Sequence, residues 1–319
     1  MPKVSHRREF WLAVAAAPLL AMAALRPVHA QAGHEGRAAA SPSELQVAGG
    51  RIVDDQLELG GRVYEVRWYL PDPVSGAAPP ALAVVEHGFA RRCDNLQTTT
   101  AGLMAAGLMA LCVNAPMVGG NPTLADALAE RLLDGIVAPD GRSAPRLTLV
   151  GGHSAGAAFA VRLGWAMMQS APERVAGAVL FDPVAASGFE EQLLALTEGG
   201  RRPVRVVSAN AAPCNADHNA YPALSAARAA ALAVGGDGFV GLQLTDRSTH
   251  IDAEGADTDP LAIAACGQGR PQPANVYSLR KLATTWAVDL VTGARDDRAY
   301  PEGAWVDALV ARDLASVIE

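Results

Sequence analysis

The sequence predicts an α/β domain built on a doubly wound, mostly parallel sheet without a large cap domain. Three observations carry that expectation. Short apolar runs recur along the chain, helical segments separate them, and 50% of the 319 residues are hydrophobic against 18% charged, which is enough apolar material for a buried core. No internal boundary divides residues 47–319, so the chain reads as one domain behind a leader.

The leader comes first. Lys3, Arg7 and Arg8 precede an apolar Ala/Leu run from Phe10 to Leu25, and small residues follow it, which predicts an export signal over residues 1–30 cleaved after Ala30 or Ala32. That run falls short of the roughly 20 residues that span a bilayer. No permanent membrane anchor is therefore expected. Arg7-Arg8-Glu9-Phe10 resembles the twin-arginine export signal, with His6 where a small hydroxyl residue is usual, and it implies a periplasmic or secreted protein. Residues 31–46, rich in Gly, Ala, Ser and Pro as far as Ser43, read as a flexible tail.

Gln56–Leu59 and Arg62–Leu70 then suit an antiparallel start, closed by the turn-rich Pro71–Gly76 stretch. Buried parallel strands follow at Leu82–Glu86, Met109–Val113, Leu147–Val150, Val175–Phe181, Val204–Val207 and Phe239–Leu244, each a continuous apolar run. Helices fit between them at Asn95–Ala106, Leu124–Ile136, Ala155–Met168, Phe189–Thr197 and Tyr221–Val234, and Tyr277–Val291 closes the chain.

Charge and cysteine usage narrow the function classes. With 33 acidic and 26 basic side chains the net charge is −7, and no dense basic tract is present, which argues against nucleic acid as a partner. Losing Lys3, Arg7, Arg8, Arg26 and Glu9 with the signal would deepen the charge to −10. Four cysteines in an exported chain allow three pairings. Cys214 and Cys266 follow the last two predicted strands, so a disulfide between them is expected near the carboxyl edge of the sheet. Cys112 reads as a buried thiol in its apolar strand, and Cys93 as free or paired with it. Cys214-x-x-x-His218 lacks the second half of a zinc site, so no metal is expected.

The chemistry lies at the turn after Leu147–Val150. There Gly152-His153-Ser154-Ala155-Gly156 matches G-x-S-x-G between a strand and a helix, a turn that holds the serine strained and exposed as a nucleophile. A serine hydroxyl needs a base. His6, His29 and His34 lie in the leader and tail, the side chain of His153 is expected to diverge from Ser154, and His87 suits an oxyanion loop. His218 and His250 remain, and His250 is preferred because it follows the last predicted strand. Asp182, directly after Val175–Phe181, is the first candidate to orient that imidazole, and Asp217, one strand later, is its rival. The backbone amides of Phe89, in the His87-Gly88-Phe89 turn, and of Ala155 would hold a developing oxyanion.

Together these residues look like the α/β-hydrolase superfamily over nearly the whole mature chain. Asp182-Pro183-Val184 is similar to the chlorophyllase and platelet-activating-factor acetylhydrolase branch, although Ala157, Ala185 and Ala186 depart from its usual residues and chlorophyll itself is not implied. The resemblance implies an exported serine hydrolase that cleaves carboxylic esters through a Ser154 acyl-enzyme, with His250 as base and Asp182 as its partner and with no cofactor. Amidase, thioesterase or peptidase action uses the same residues, and a non-catalytic binding protein is the alternative of a different class. The expected partner is a small-molecule, lipid or polymeric ester. Phe89–Cys93, Asn114–Asn121 with Met117, and the segment after Asp182 are expected to shape the pocket. Oligomeric state is not legible.

Overall fold

The structure, a computed structural model, describes residues 44–73 and 79–319. The expected export signal, the tail up to Ser43 and the end of the Pro71–Gly76 turn lie outside those residues. Among the described residues ten strands form one sheet: β1 (Glu44–Val47), β2 (Gly50–Leu59), β3 (Arg62–Pro71), β4 (Leu82–Glu86), β5 (Met109–Val113), β6 (Thr148–His153), β7 (Val175–Phe181), β8 (Val204–Ser208), β9 (Gly241–Leu244) and β10 (Ala315–Val317). Their order is β1-β2-β3-β5-β4-β6-β7-β8-β9-β10. From β5 to β9 neighbouring strands run parallel, while β1 to β3 and β10 add antiparallel margins.

The parallel strands are apolar throughout because both of their faces are covered. Leu82 and Val84 of β4 point into one core and Ala83 and Val85 into the other, and all four are buried. Burying a side chain such as Leu82 contributes about 1.5–3 kcal/mol. Among the described residues eight helices cover the sheet: α1 (Gln97–Ala105), α2 (Pro122–Asp134), α3 (Ala155–Met168), α4 (Phe189–Leu196), α5 (Tyr221–Ala233), α6 (Pro260–Cys266), α7 (Pro273–Thr292) and α8 (Ala304–Val310). Leu128 of α2, Phe159 of α3, Leu193 of α4 and Leu224 of α5 pack in the first core, and Leu103 of α1, Trp286 of α7 and Val306 of α8 in the second. The fold is the expected doubly wound α/β sheet. Only α4 lies between β7 and β8, so no large cap is inserted there.

The differences from the expected elements have local causes. The first strand begins at Glu44, inside the segment read as tail, because pairing with Gly50–Val53 orders it despite its exposed side chains. Strand β6 runs on past Val150 to His153, since Gly151 and Gly152 continue the ladder with Val179 and Leu180 while contributing no hydropathy. The short α6, α8 and β10 were missed, and α7 starts before Tyr277, because none of these segments carries a long apolar period. Among the described residues no helix is long and apolar enough to cross a membrane.

The chain leaves β4 for β5 on one side, then returns to lay β6 and the later strands on the other. The carboxyl ends of β4 and β6 therefore meet at the switch point of the sheet, where open α/β sheets place their ligands.

Candidate active site

Ser154 stands at that switch point between β6 and α3, with φ 58° and ψ −126°. A non-glycine residue in this region is strained, and the surroundings must hold it there. The two glycines of the motif make that possible. A Cβ on Gly152 would lie 2.2 Å from the Gly156 carbonyl oxygen, and one on Gly156 would lie 2.3 Å from the Glu86 carbonyl oxygen. The Ser154 amide donates to the Phe181 carbonyl at 3.1 Å, and the Val184 amide donates to the Ser154 carbonyl at 3.1 Å. These two bonds stitch the serine turn to the turn after β7.

Asp182 lies between those two partners, at φ 41°, and is buried. Its amide donates to the Val207 carbonyl at 2.8 Å, which ties the turn to β8 as well. Oδ2 accepts the Nδ1 proton of His250 at 2.6 Å and an Nδ2 proton of Asn215 at 3.0 Å. Oδ1 accepts from the Ala209 amide at 3.1 Å. Burial alone would raise the Asp182 pKa, but the His250 contact, then Asn215 and Ala209, outweigh it and hold the carboxyl below its ordinary value. An imidazole whose Nδ1 proton is given to a carboxylate keeps Nε2 as its basic nitrogen.

His250 opens a 3-10 turn, His250–Ala253, that follows β9. Its amide donates to Gln268 Oε1 at 2.9 Å, and its carbonyl accepts the Nε2 proton of His153 at 2.7 Å. Ser154 Oγ and His250 are not hydrogen bonded in this structure, a contact that often tightens only with substrate in place.

His153, whose side chain is expected to diverge from Ser154, packs against the imidazole of His250. The two imidazole centroids are 4.6 Å apart. His153 is buried, and burial, followed by the nearby His250, pushes its pKa down to about 3, so the ring is neutral. With its proton on Nε2, Nδ1 is a bare acceptor without a hydrogen-bond partner, 3.9 Å from Glu254 Oε1. Glu254 is buried and takes both arms of Arg91, at 2.7 and 2.6 Å, and Arg91 also reaches Asp259 at 2.7 Å. Arg91 thereby fastens the Phe89 turn to the His250 loop, and a bidentate guanidinium fixes orientation as well as distance.

In that turn the Arg91 amide donates to the Gly88 carbonyl at 3.2 Å, with Ala90 at φ 55°. A Cβ on Gly88 would meet Ser154 Cβ at 3.0 Å, so the glycine lets the turn approach the serine. Ala155 is the first residue of α3, where amides lack an intrahelical acceptor. Two disulfides root these loops. Cys93–Cys112 holds the Phe89 turn to β5, and Cys214–Cys266 joins the loop carrying Asn215 to the end of α6, two residues before Gln268. Loops of 19 and 52 residues correspond to about 3 and about 4 kcal/mol of unfolded-state restriction. Cys112 is thus half of a disulfide, not a buried thiol: the β5 strand ends directly behind the loop that holds Cys93.

Other expected residues fall elsewhere. Asp217 is exposed in the loop after β8, away from the imidazole that Asp182 binds. His218 Nε2 bonds the Ala209 carbonyl at 2.8 Å, and its ring stacks on Tyr221. Met117 is fully buried in the first core, its flexible thioether filling space beside α2 and α3. Among the described residues no group of three or more His, Cys, Asp or Glu side chains is placed to hold a metal.

No family model matches the chain, and no curated protein does. Its fold is similar to solved esterases at low identity. A thermostable esterase from Pseudomonas putida is 13% identical, with 77% of this chain and 85% of that one covered and a TM-score of 0.48. An esterase from Pyrobaculum calidifontis is 14% identical over 76% and 86%, with a TM-score of 0.48. A fungal esterase from Rhizomucor miehei is 12% identical over 76% and 84%, again with 0.48. Identities and scores this low leave the functional reading to the site itself.

Proposed function

We propose that the protein is a serine hydrolase of the α/β-hydrolase superfamily that cleaves carboxylic esters. Ser154 attacks the ester carbonyl, His250 Nε2 takes the hydroxyl proton, and the Phe89 and Ala155 amides stabilise the oxyanion. Collapse of the tetrahedral intermediate expels the alcohol, which receives the proton from His250, and leaves an acyl-Ser154 ester. Water then repeats the sequence and releases the carboxylic acid. Asp182 stays ionised, keeps the imidazole proton on Nδ1 and stabilises the imidazolium.

The single observation that carries this reading is the His250–Asp182 bond beside a strained Ser154 at the sheet's switch point. Its position at the end of β7 favours Asp182 over Asp217 as the acid and agrees with the chlorophyllase-like branch. Two disulfides fit an oxidising compartment, and export through a twin-arginine-type signal is part of the same proposal.

The test is hydrolysis of p-nitrophenyl esters from acetate to palmitate by the wild-type protein and Ser154→Ala. Turnover that falls by several orders of magnitude in the variant is expected. Equal turnover by the two proteins would remove Ser154, and no turnover of any ester by either would remove ester hydrolysis.

A further inference from the structure

A cavity of about 830 Å³ lies between the segment after Glu254 and the outer side of α7. Its volume is in the range of small-molecule sites. Ser154, Asp182 and His250 do not line it. Ile263, Val276 and Pro271 give it apolar walls, and Arg270, Arg280 and Lys281 bring three cations to them.

The charge of these cations is poorly answered. Arg280 is partly buried, and its guanidinium donates to two neutral acceptors, Thr99 Oγ1 at 2.9 Å and the Glu254 carbonyl at 3.2 Å. Lys281 Nζ sits 3.6 Å from the Trp305 ring centroid, a cation–π contact, and Asp296, the carboxylate that feels its charge, is already held by both arms of Arg298. Asp257, the carboxylate that acts on Arg280, is itself bound by the amide and hydroxyl of Thr98. Among the described residues none of the three cations has a carboxylate within 4.0 Å. A half-buried guanidinium without a carboxylate partner is a group that a bound anion would satisfy.

We propose that this cavity is a binding site for an amphipathic monocarboxylate, with the carboxylate set among Arg270, Arg280 and Lys281 and the hydrocarbon body against Ile263, Val276 and Pro271. Apolar walls select against inorganic anions, and the cations select against neutral alcohols of the same length. The site is separate from Ser154 and does not depend on the hydrolase reading.

Calorimetric titration of the full chain tests it, with octanoate as the probe and 1-octanol as the neutral comparison. The expected result is saturable octanoate binding at least tenfold tighter than octanol. The Arg270→Gln/Lys281→Gln double variant should weaken octanoate by about tenfold or more, as removal of charge-assisted bonds does. Ile263→Trp should abolish binding by filling the cavity, while circular dichroism and the turnover of p-nitrophenyl acetate stay at wild-type levels. The same titration in Ser154→Ala should match the wild type. Absence of saturable heat, equal binding of octanol, or octanoate affinity unchanged in both cavity variants would each overturn the proposal, the last by assigning octanoate to another site.

Discussion

Two buried carboxyls lie at the carboxyl ends of neighbouring parts of the same sheet, and their surroundings shift them in opposite directions. Asp182, after β7, accepts from His250, Asn215 and the Ala209 amide, and these donors hold it ionised against the effect of burial. Glu86, the last residue of β4, is fully buried and accepts one strong bond, from the Val113 amide to Oε1 at 3.0 Å. Burial pushes its pKa well above the ordinary value, and the single donor does not reverse that. Glu86 Oε2 lies 3.9 Å from Cys112 Sγ, which has no hydrogen to give in its disulfide, so any hydrogen bond there needs the proton on Glu86. The count of donors, not depth, decides which carboxyl carries charge. One is equipped to face an imidazolium, and the other, its pKa raised by burial, braces the Phe89 turn.

The largest expected effect breaks the charged member of the pair. Asp182→Asn should lower kcat by about 10⁴, because the amide no longer enforces the Nδ1 proton or stabilises the imidazolium. Circular dichroism and the thermal midpoint should stay near the wild type, since Asn keeps the shape and can still accept from the Ala209 amide. Activity within tenfold of the wild type would move the acid elsewhere, with Asp217 the next residue to test.

A smaller effect sharpens the comparison. Asn215→Ala removes two contacts to Asp182, at 3.0 and 3.3 Å, and leaves His250 and Ala209 as its donors. The Asp182 pKa should rise toward its ordinary value, and kcat should fall on the order of tenfold, the weight of a hydrogen bond to a charged group. Stopped-flow measurement of acylation across pH checks it: Asn215→Asp should not restore the rate, because a second carboxylate repels the first. Full rescue by that variant would show that Asn215 serves only to fill space.

How much of this was legible follows residue by residue. Ser154 was readable because its turn demands glycines at fixed offsets, and Asp182 because an acid directly after an apolar run marks a strand's carboxyl end. Asn215 left no such signal. It reaches Asp182 through a turn in which Ala216, Asp217 and His218 all take positive φ, and the exposed Asp217 beside it drew notice only as the rival acid. His153 was discounted because the variable position of the motif has no required type, and its contact with the His250 carbonyl joins loops 97 residues apart. Arg91 and Glu254 are similarly distant in sequence and meet only when the sheet brings the loops after β4 and β9 to one edge. The parallel strands were readable as continuous apolar runs, whereas β1 is stabilised by pairing with β2 and has exposed side chains that carry no pattern.

The smallest effect concerns Glu86 and appears only as a trend with pH. Glu86 has a folded pKa above its unfolded value of 4.5, so the folded state keeps a proton that the unfolded chain releases as pH rises. Its stabilising contribution is complete below pH 4.5 and is lost as pH climbs toward the folded value. His153 works in the other direction. Its folded pKa of about 3 lies below 6.5, so its contribution is complete above pH 6.5 and is lost as pH falls toward 3. Glu86→Gln keeps an acceptor for the Val113 amide and removes the titration, leaving His153 untouched. Urea midpoints should therefore nearly coincide for the two proteins at pH 4.5, and the variant should become progressively the more stable of the two by pH 8. Parallel curves over that range would mean that Glu86 does not keep its proton on folding, and that one donor and deep burial suffice to hold a carboxylate charged.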